Sequence, residues 1–141
     1  MKLKAVVTAV TAALLLAALP VLAHHSFTAE YDNTKPLALK GKFIKMDWVN
    51  PHSWVHFEVT GADGKVTLWK AETPPPNGLY RAGWRKDSIK AGEPVEVRGA
   101  AAKDGTAHMW SNGVTLLNSG VTLGFGTRPP GEGPDDKAKA K

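Results

Sequence analysis

Residues 52–72, HSWVHFEVTGADGKVTLWKAE, alternate apolar and polar side chains on both sides of an Ala62-Asp63-Gly64-Lys65 turn, and this pattern decides the fold class. Side chains of a strand point alternately to its two faces, so Val55, Phe57 and Val59 share one side, and His52, Trp54, His56 and Glu58 the other. The apolar set reads as core. Asp-Gly supplies the positive backbone angles of a tight hairpin, so the chain returns as a further strand, Val66 to Glu72.

Working outward from the hairpin, the same period recurs. Upstream, Leu37, Leu39, Gly41 and Phe43 alternate with Ala38, Lys40 and Lys42, after an extended lead-in from Ser26 to Pro36. Ile44, Met46 and Trp48 then take over the apolar positions, so a bulge or sharp bend is expected near Phe43 and Ile44. Downstream, Thr73 to Asn77 carries three consecutive prolines and cannot continue a strand, and Gly78 to Asp87 reads as one short helix. A fourth strand contains Val95, Val97, Gly99 and Ala101. The fifth follows Asp104-Gly105 and runs from about Ala107 to Leu117, and a last hairpin at Asn118-Ser119-Gly120 leads to Val121, Leu123 and Phe125.

Five short strands with one helix between the third and fourth predict an all-β, mainly β chain. The expected architecture is a small five-stranded OB-like Greek-key barrel with at most one short helix. Gly41 and Gly99, both inside strands, suit the places where such a barrel bends sharply. A β-sandwich is the alternative.

The chain ends predict export. Lys2 and Lys4, an apolar run from Ala5 to Ala18, Pro20 and then Val21-Leu22-Ala23 follow the plan of a secretory signal, which assigns 1–23 to a cleaved leader and makes His24 the new terminus. The run is too short to be a membrane span, which needs roughly 20 apolar residues, so no stable membrane anchor remains after cleavage. A periplasmic or secreted protein is therefore expected, with 24–126 as a single β-barrel domain. Residues 127–141, proline, glycine and charge with little to bury, read as a disordered tail. The absence of cysteine excludes a lipoprotein anchor, a disulfide framework and a cysteine-based metal or redox site. Losing Lys2 and Lys4 lowers the formal charge from +5 to +3, and export separates the chain from nucleic acid, which is not expected as a partner.

Four of the five histidines fall in two short groups, His24 with His25 and His52 with His56. His52 and His56 lie about 13–14 Å apart along a regular strand at roughly 3.4 Å per residue, too far to share one ion. An N-terminal histidine chelates through its free amine and its own ring, and a third nitrogen completes the planar set that Cu(II) prefers. The predicted copper ligands are therefore His24, His25 and His52, then His56, with His52 first as the third nitrogen because a rigid Asn-Pro turn fixes it. Zinc ranks below copper. A second, softer constellation, His108 and Met109 with Met46, Trp48 and Trp110, ranks lower because Met109 points away from its neighbours in a strand. Without a metal, Trp48, Trp54 and Trp110, with Glu72 beside the triple proline, would form a face for a small ligand or for another exported or membrane protein. No nucleophile elbow, phosphate loop or HExxH is present, so no reaction is assigned.

The stretches HHSFTAEYD at 24–32, LKGKFIKMDWVNPHSW at 39–54 and PPPNGLYRAGWRKDSIKAGEPVEVRG at 74–99 together resemble the bacterial exported family of domain of unknown function 6152. The resemblance falls on His24, His25, Ser26 and Phe27, on Asn50, Pro51 and His52, and on Gly83 and Trp84. It implies export and a single domain, and it implies no substrate. The barrel is also similar, by analogy of fold alone, to exported copper-carrier domains of OB type.

Overall fold

A computed structural model describes residues 27–125; the expected leader at 1–23, His24 and His25, and the expected tail at 127–141 lie outside them. The elements in chain order are α1 (Phe27–Glu30), β1 (Tyr31–Asp47), β2 (Ser53–Thr60), β3 (Val66–Thr73), α2 (Pro76–Arg81), β4 (Pro94–Ala102), β5 (His108–Leu116) and β6 (Thr122–Gly124). None of the helices among the described residues is long and apolar enough to cross a membrane.

β1 runs 17 residues and serves two neighbours. Its first part pairs with β4, from Tyr31↔Ala102 to Lys42↔Pro94, and its second part pairs with β2, from Lys42↔Glu58 to Asp47↔Trp54. The changeover needs a bend, and the register shifts between Phe43 and Lys45, where the sequence switches its apolar positions. Strand order β3-β2-β1-β4-β5-β6, together with a parallel β3–β5 pairing, closes five strands into a barrel. This is the OB-like arrangement expected, and a single sheet closed on itself excludes the two-sheet sandwich. β6 adds a short sixth strand to the edge of β5.

The elements differ from expectation in three places. Two short helices are present among the described residues where at most one was expected, because Phe27–Glu30 of the expected extended lead-in forms a single helical turn that buries Phe27. β1 starts at Tyr31, so most of the expected lead-in is strand; a second register shift, between Asp32 and Pro36, absorbs the polar Asn33-Thr34-Lys35 segment. α2 starts at Pro76 and ends at Arg81, earlier than the predicted Gly78–Asp87, because proline suits the first helical turn and Gly83, at φ +93°, turns the chain out of it.

Inward alternation builds the core. Val55 and Phe57 of β2, Ala71 of β3, Val95 and Val97 of β4, and Met109 and Val114 of β5 are fully buried in one cluster with Leu79 of α2 and Trp84. Burying each large side chain of this set stabilises the fold by about 1.5–3 kcal/mol. Trp84 stacks on Phe125 at 5.1 Å and donates its indole N–H to the Gly124 carbonyl at 2.8 Å, which fixes the last strand. The barrel also depends on two glycines. A Cβ on Gly41 would sit 2.2 Å from the Glu58 carbonyl oxygen, and one on Gly99 would sit 1.7 Å from that of Trp110. Only a residue without a side chain lets the backbones cross at these bends.

Candidate functional site

Strand register gathers polar and aromatic groups on the outer face. Trp54, Glu72 and Trp110 stand in one row across β2, β3 and β5, and His56, Lys70 and His108 stand in the next. Because Val55, Ala71 and Met109 point into the core, both rows point outward. Glu72 and Trp110 are nevertheless buried, at 6% and 5% exposure. A lid from α1 and the start of β1 covers them: Phe27 packs edge-on against Trp110 at 5.6 Å and stacks on Tyr31 at 5.3 Å.

Glu72 is the hub beneath this lid. Its Oε2 accepts a hydrogen bond from the Tyr31 hydroxyl, and its Oε1 is paired with Nδ1 of His52, which lies just ahead of β2. His108 Nε2 is 2.8 Å from the Tyr31 hydroxyl and 3.9 Å from Glu72 Oε2. Aromatic rings wall the cluster. His52 meets Trp110 edge-on at 5.8 Å, His108 meets Tyr31 edge-on at 5.4 Å, and Trp54 lies tilted against His108 at 5.1 Å.

The hydrogen bonds assign the protons. Burial, and then the Glu72 carboxylate, push the Tyr31 phenol far above its ordinary range, so the hydroxyl stays protonated and donates. Its oxygen therefore accepts from His108, which places that proton on Nε2 and leaves a lone pair on Nδ1. Burial, and then the Lys70 ammonium, lower the His108 pKa, so this ring is neutral at neutral pH. His52 likewise carries a proton on Nδ1 facing Glu72, and Nε2 is its available nitrogen. At 36% side-chain exposure, His52 is the member of the cluster open to solvent.

The other predicted site residues separate into distinct places. His56 bonds to Asp47 at 2.8 Å, beside the Lys45–Asp47 ion pair, and does not join His52, as strand spacing required. Those two partners, Lys45 foremost, hold the Asp47 carboxyl below its usual range. Met109 is fully buried in the core, on the opposite side of β5 from His108, so the two form no common site. Trp48 and Trp54 line one groove of about 690 Å³ with Met46 and Lys86, whereas Trp110 lies under the lid with Glu72. Among the described residues there is no group of three or more His, Cys, Asp or Glu arranged to hold a metal. Both Glu72 oxygens are already engaged, and His108 directs Nε2 at a phenol. Tyr31, which sequence reading left in the lead-in, is the member it missed.

The sequence matches the Family of unknown function (DUF6152) over residues 12–111, a span that includes every member of the cluster. The chain belongs to that family. No curated protein matches this DUF6152 sequence. Among solved structures it is similar to apo TiaS, a tRNA agmatidine synthetase, at 19% identity over 60% of this chain and 18% of that one, with a TM-score of 0.40. A tRNA fluorescent labeling enzyme matches at 17% identity, covering 60% and 18%, also at 0.40. The ZRD-deleted mutant of TiaS in complex with agmatine matches at 18% identity, covering 69% and 24%, again at 0.40. The DUF6152 chain thus spans less than a quarter of each of these proteins, and the site is read from its own residues.

Proposed function

We propose that this protein is an exported, periplasmic copper-binding barrel in which His52 Nε2 joins the freed terminal amine and ring of His24, with His25 beside them. One observation carries the reading. The buried Glu72 carboxylate holds His52 through Nδ1, and carboxylate–imidazole orientation of this kind presents the other ring nitrogen to a metal. Phe27 supports the second half of the set: it packs on the same Trp110 ring as His52, at 5.6 and 5.8 Å. His25 is two residues ahead of Phe27 and His24 three, a tether of at most about 7 and 11 Å of chain. Glu72 acts by orienting His52, and His108 and Tyr31 hold Glu72.

The test is Cu(II) titration of metal-free protein beginning at His24. His52→Ala should weaken binding at least tenfold, about 1.4 kcal/mol, whereas His56→Ala, engaged with Asp47, should leave it unchanged. Equal affinity of the His52 variant and the parent would refute the reading.

A metal-free reading is favoured by one feature, the groove shared by Trp48 and Trp54, which suits an apolar or aromatic segment of a small ligand or of another exported protein. Trp54→Ala would then abolish capture while His52→Ala left it intact.

A further inference from the structure

We propose that Tyr31 is a redox-active tyrosine that gives up an electron to oxidants arriving at Trp54 and passes its phenolic proton to Glu72. This function needs no metal; it uses the Tyr31–Glu72 pair that the copper reading places behind His52, so it is tested on metal-free protein.

The rings form a continuous series from the surface inward. Trp54 is half-buried on the outer face and contacts His108 at 5.1 Å; His108 contacts Tyr31 at 5.4 Å, and Tyr31 contacts Trp110 at 6.1 Å. With no cysteine in the chain, tryptophan, tyrosine and methionine are the groups left to hold a one-electron hole. Charge decides where along the ring series the hole rests. The Lys70 ammonium sits over the Trp54 ring at 5.1 Å, and a cation there opposes a second positive charge on the indole. The hole therefore moves inward.

At Tyr31 the hole is neutralised by proton loss. An oxidised phenol is a strong acid, and Tyr31 is 2% exposed, so its proton goes to a protein atom already in contact. Of the two partners, His108 Nε2 carries its own proton, while Glu72 Oε2 accepts. The Tyr31 hydroxyl already donates to this oxygen, so the proton moves along an existing hydrogen bond. In the resting state the phenol keeps its proton, so the two particles leave together.

An organic peroxyl radical in solution takes one electron from the protein and one proton from water, and leaves as a hydroperoxide. Tyr31 becomes a neutral phenoxyl radical, and its O–H proton resides on Glu72. An ascorbate-class reductant then returns the electron and releases its own proton to water, while Glu72 gives the phenolic proton back. The protein turns over without net change.

The experiment is laser flash-quench oxidation of metal-free, folded full-length protein with photogenerated ruthenium(III) tris-bipyridine, followed by freezing and electron paramagnetic resonance. Tyr80, the second tyrosine, is 41% exposed and is removed as Tyr80→Phe so that any tyrosyl signal has one source. The Tyr80→Phe protein should give a neutral tyrosyl radical, formed severalfold more slowly in D2O. Adding Tyr31→Phe should replace it with a tryptophan radical, and adding Glu72→Gln should slow its formation severalfold. Should the Glu72 variant fail to fold, the isotope effect still decides. A tryptophan radical alone in Tyr80→Phe, or a tyrosyl radical formed at the same rate in D2O, would overturn the proposal.

Discussion

Tyr31 and Glu72, 41 residues apart in the sequence, form a direct hydrogen bond beneath the Phe27 lid. It joins the first residue of β1 to the end of β3, with His52 held by the carboxylate and His108 by the phenol. Replacing Glu72 with alanine would leave the buried Tyr31 hydroxyl without its acceptor. Orphaning such a group costs about 1–3 kcal/mol, so Glu72→Ala should lower the urea midpoint accordingly. An unchanged midpoint would mean that the carboxylate does not organise the cluster.

The proton assignment can be read directly. Nitrogen-15 spectra of the metal-free protein at neutral pH should show His108 as the Nε2–H tautomer, with Nδ1 bare. A Nδ1–H ring at His108 would contradict the direction of the Tyr31 hydrogen bond. Tyr31→Phe should remove this preference.

Stability should depend on His108 below neutrality. Its folded pKa is lowered from the ordinary histidine value by burial first and Lys70 next, so the unfolded chain binds the proton more readily. Stability therefore rises with pH in this region. The contribution is intact above about 6.5 and is lost as pH falls from there toward the lower folded value. A series of urea midpoints on metal-free protein should slope downward on acidification through this window. With His108→Asn the slope should be shallower; an identical slope would remove His108 as its source.

Barrel closure has its own test. Gly99→Ala places a Cβ 1.7 Å from a backbone oxygen that cannot step aside, so overpacking of about 3 kcal/mol is expected. Denaturant unfolding measures it. A loss under about 0.5 kcal/mol, the scale of an ordinary surface substitution, would mean that β4 and β5 do not cross this closely.

These sites show which parts of the fold are local in sequence. The β2–β3 hairpin is legible because alternation and an Asp-Gly turn are both short-range, and the bulge at Ile44 is legible because the apolar positions change parity there. Tyr31 is hidden by its neighbours. Asp32 Oδ1 accepts from both the backbone and the hydroxyl of Thr34, and this polar Asp32-Asn33-Thr34 segment interrupts the apolar alternation within β1, so the lead-in shows no strand period. Glu72 has no second carboxylate near it in sequence. Its neighbours come from the β2–β3 register, which sets Trp54 opposite it, and from the parallel β3–β5 closure, which sets Trp110 on its other side. Parallel closure between segments so far apart leaves no periodic trace, so His52 is recognisable from its place after Asn50-Pro51 while its carboxylate is not.

The copper assignment is tested most directly by electron spin resonance of the Cu(II) protein whose chain begins at His24, set against the same chain with one residue added ahead of it. We predict nitrogen hyperfine structure from the amine and from at least two imidazoles, with one imidazole lost in His52→Ala and the whole pattern replaced when the added residue masks the amine. Identical spectra from the two chains, or no change on removing His52, would contradict the account.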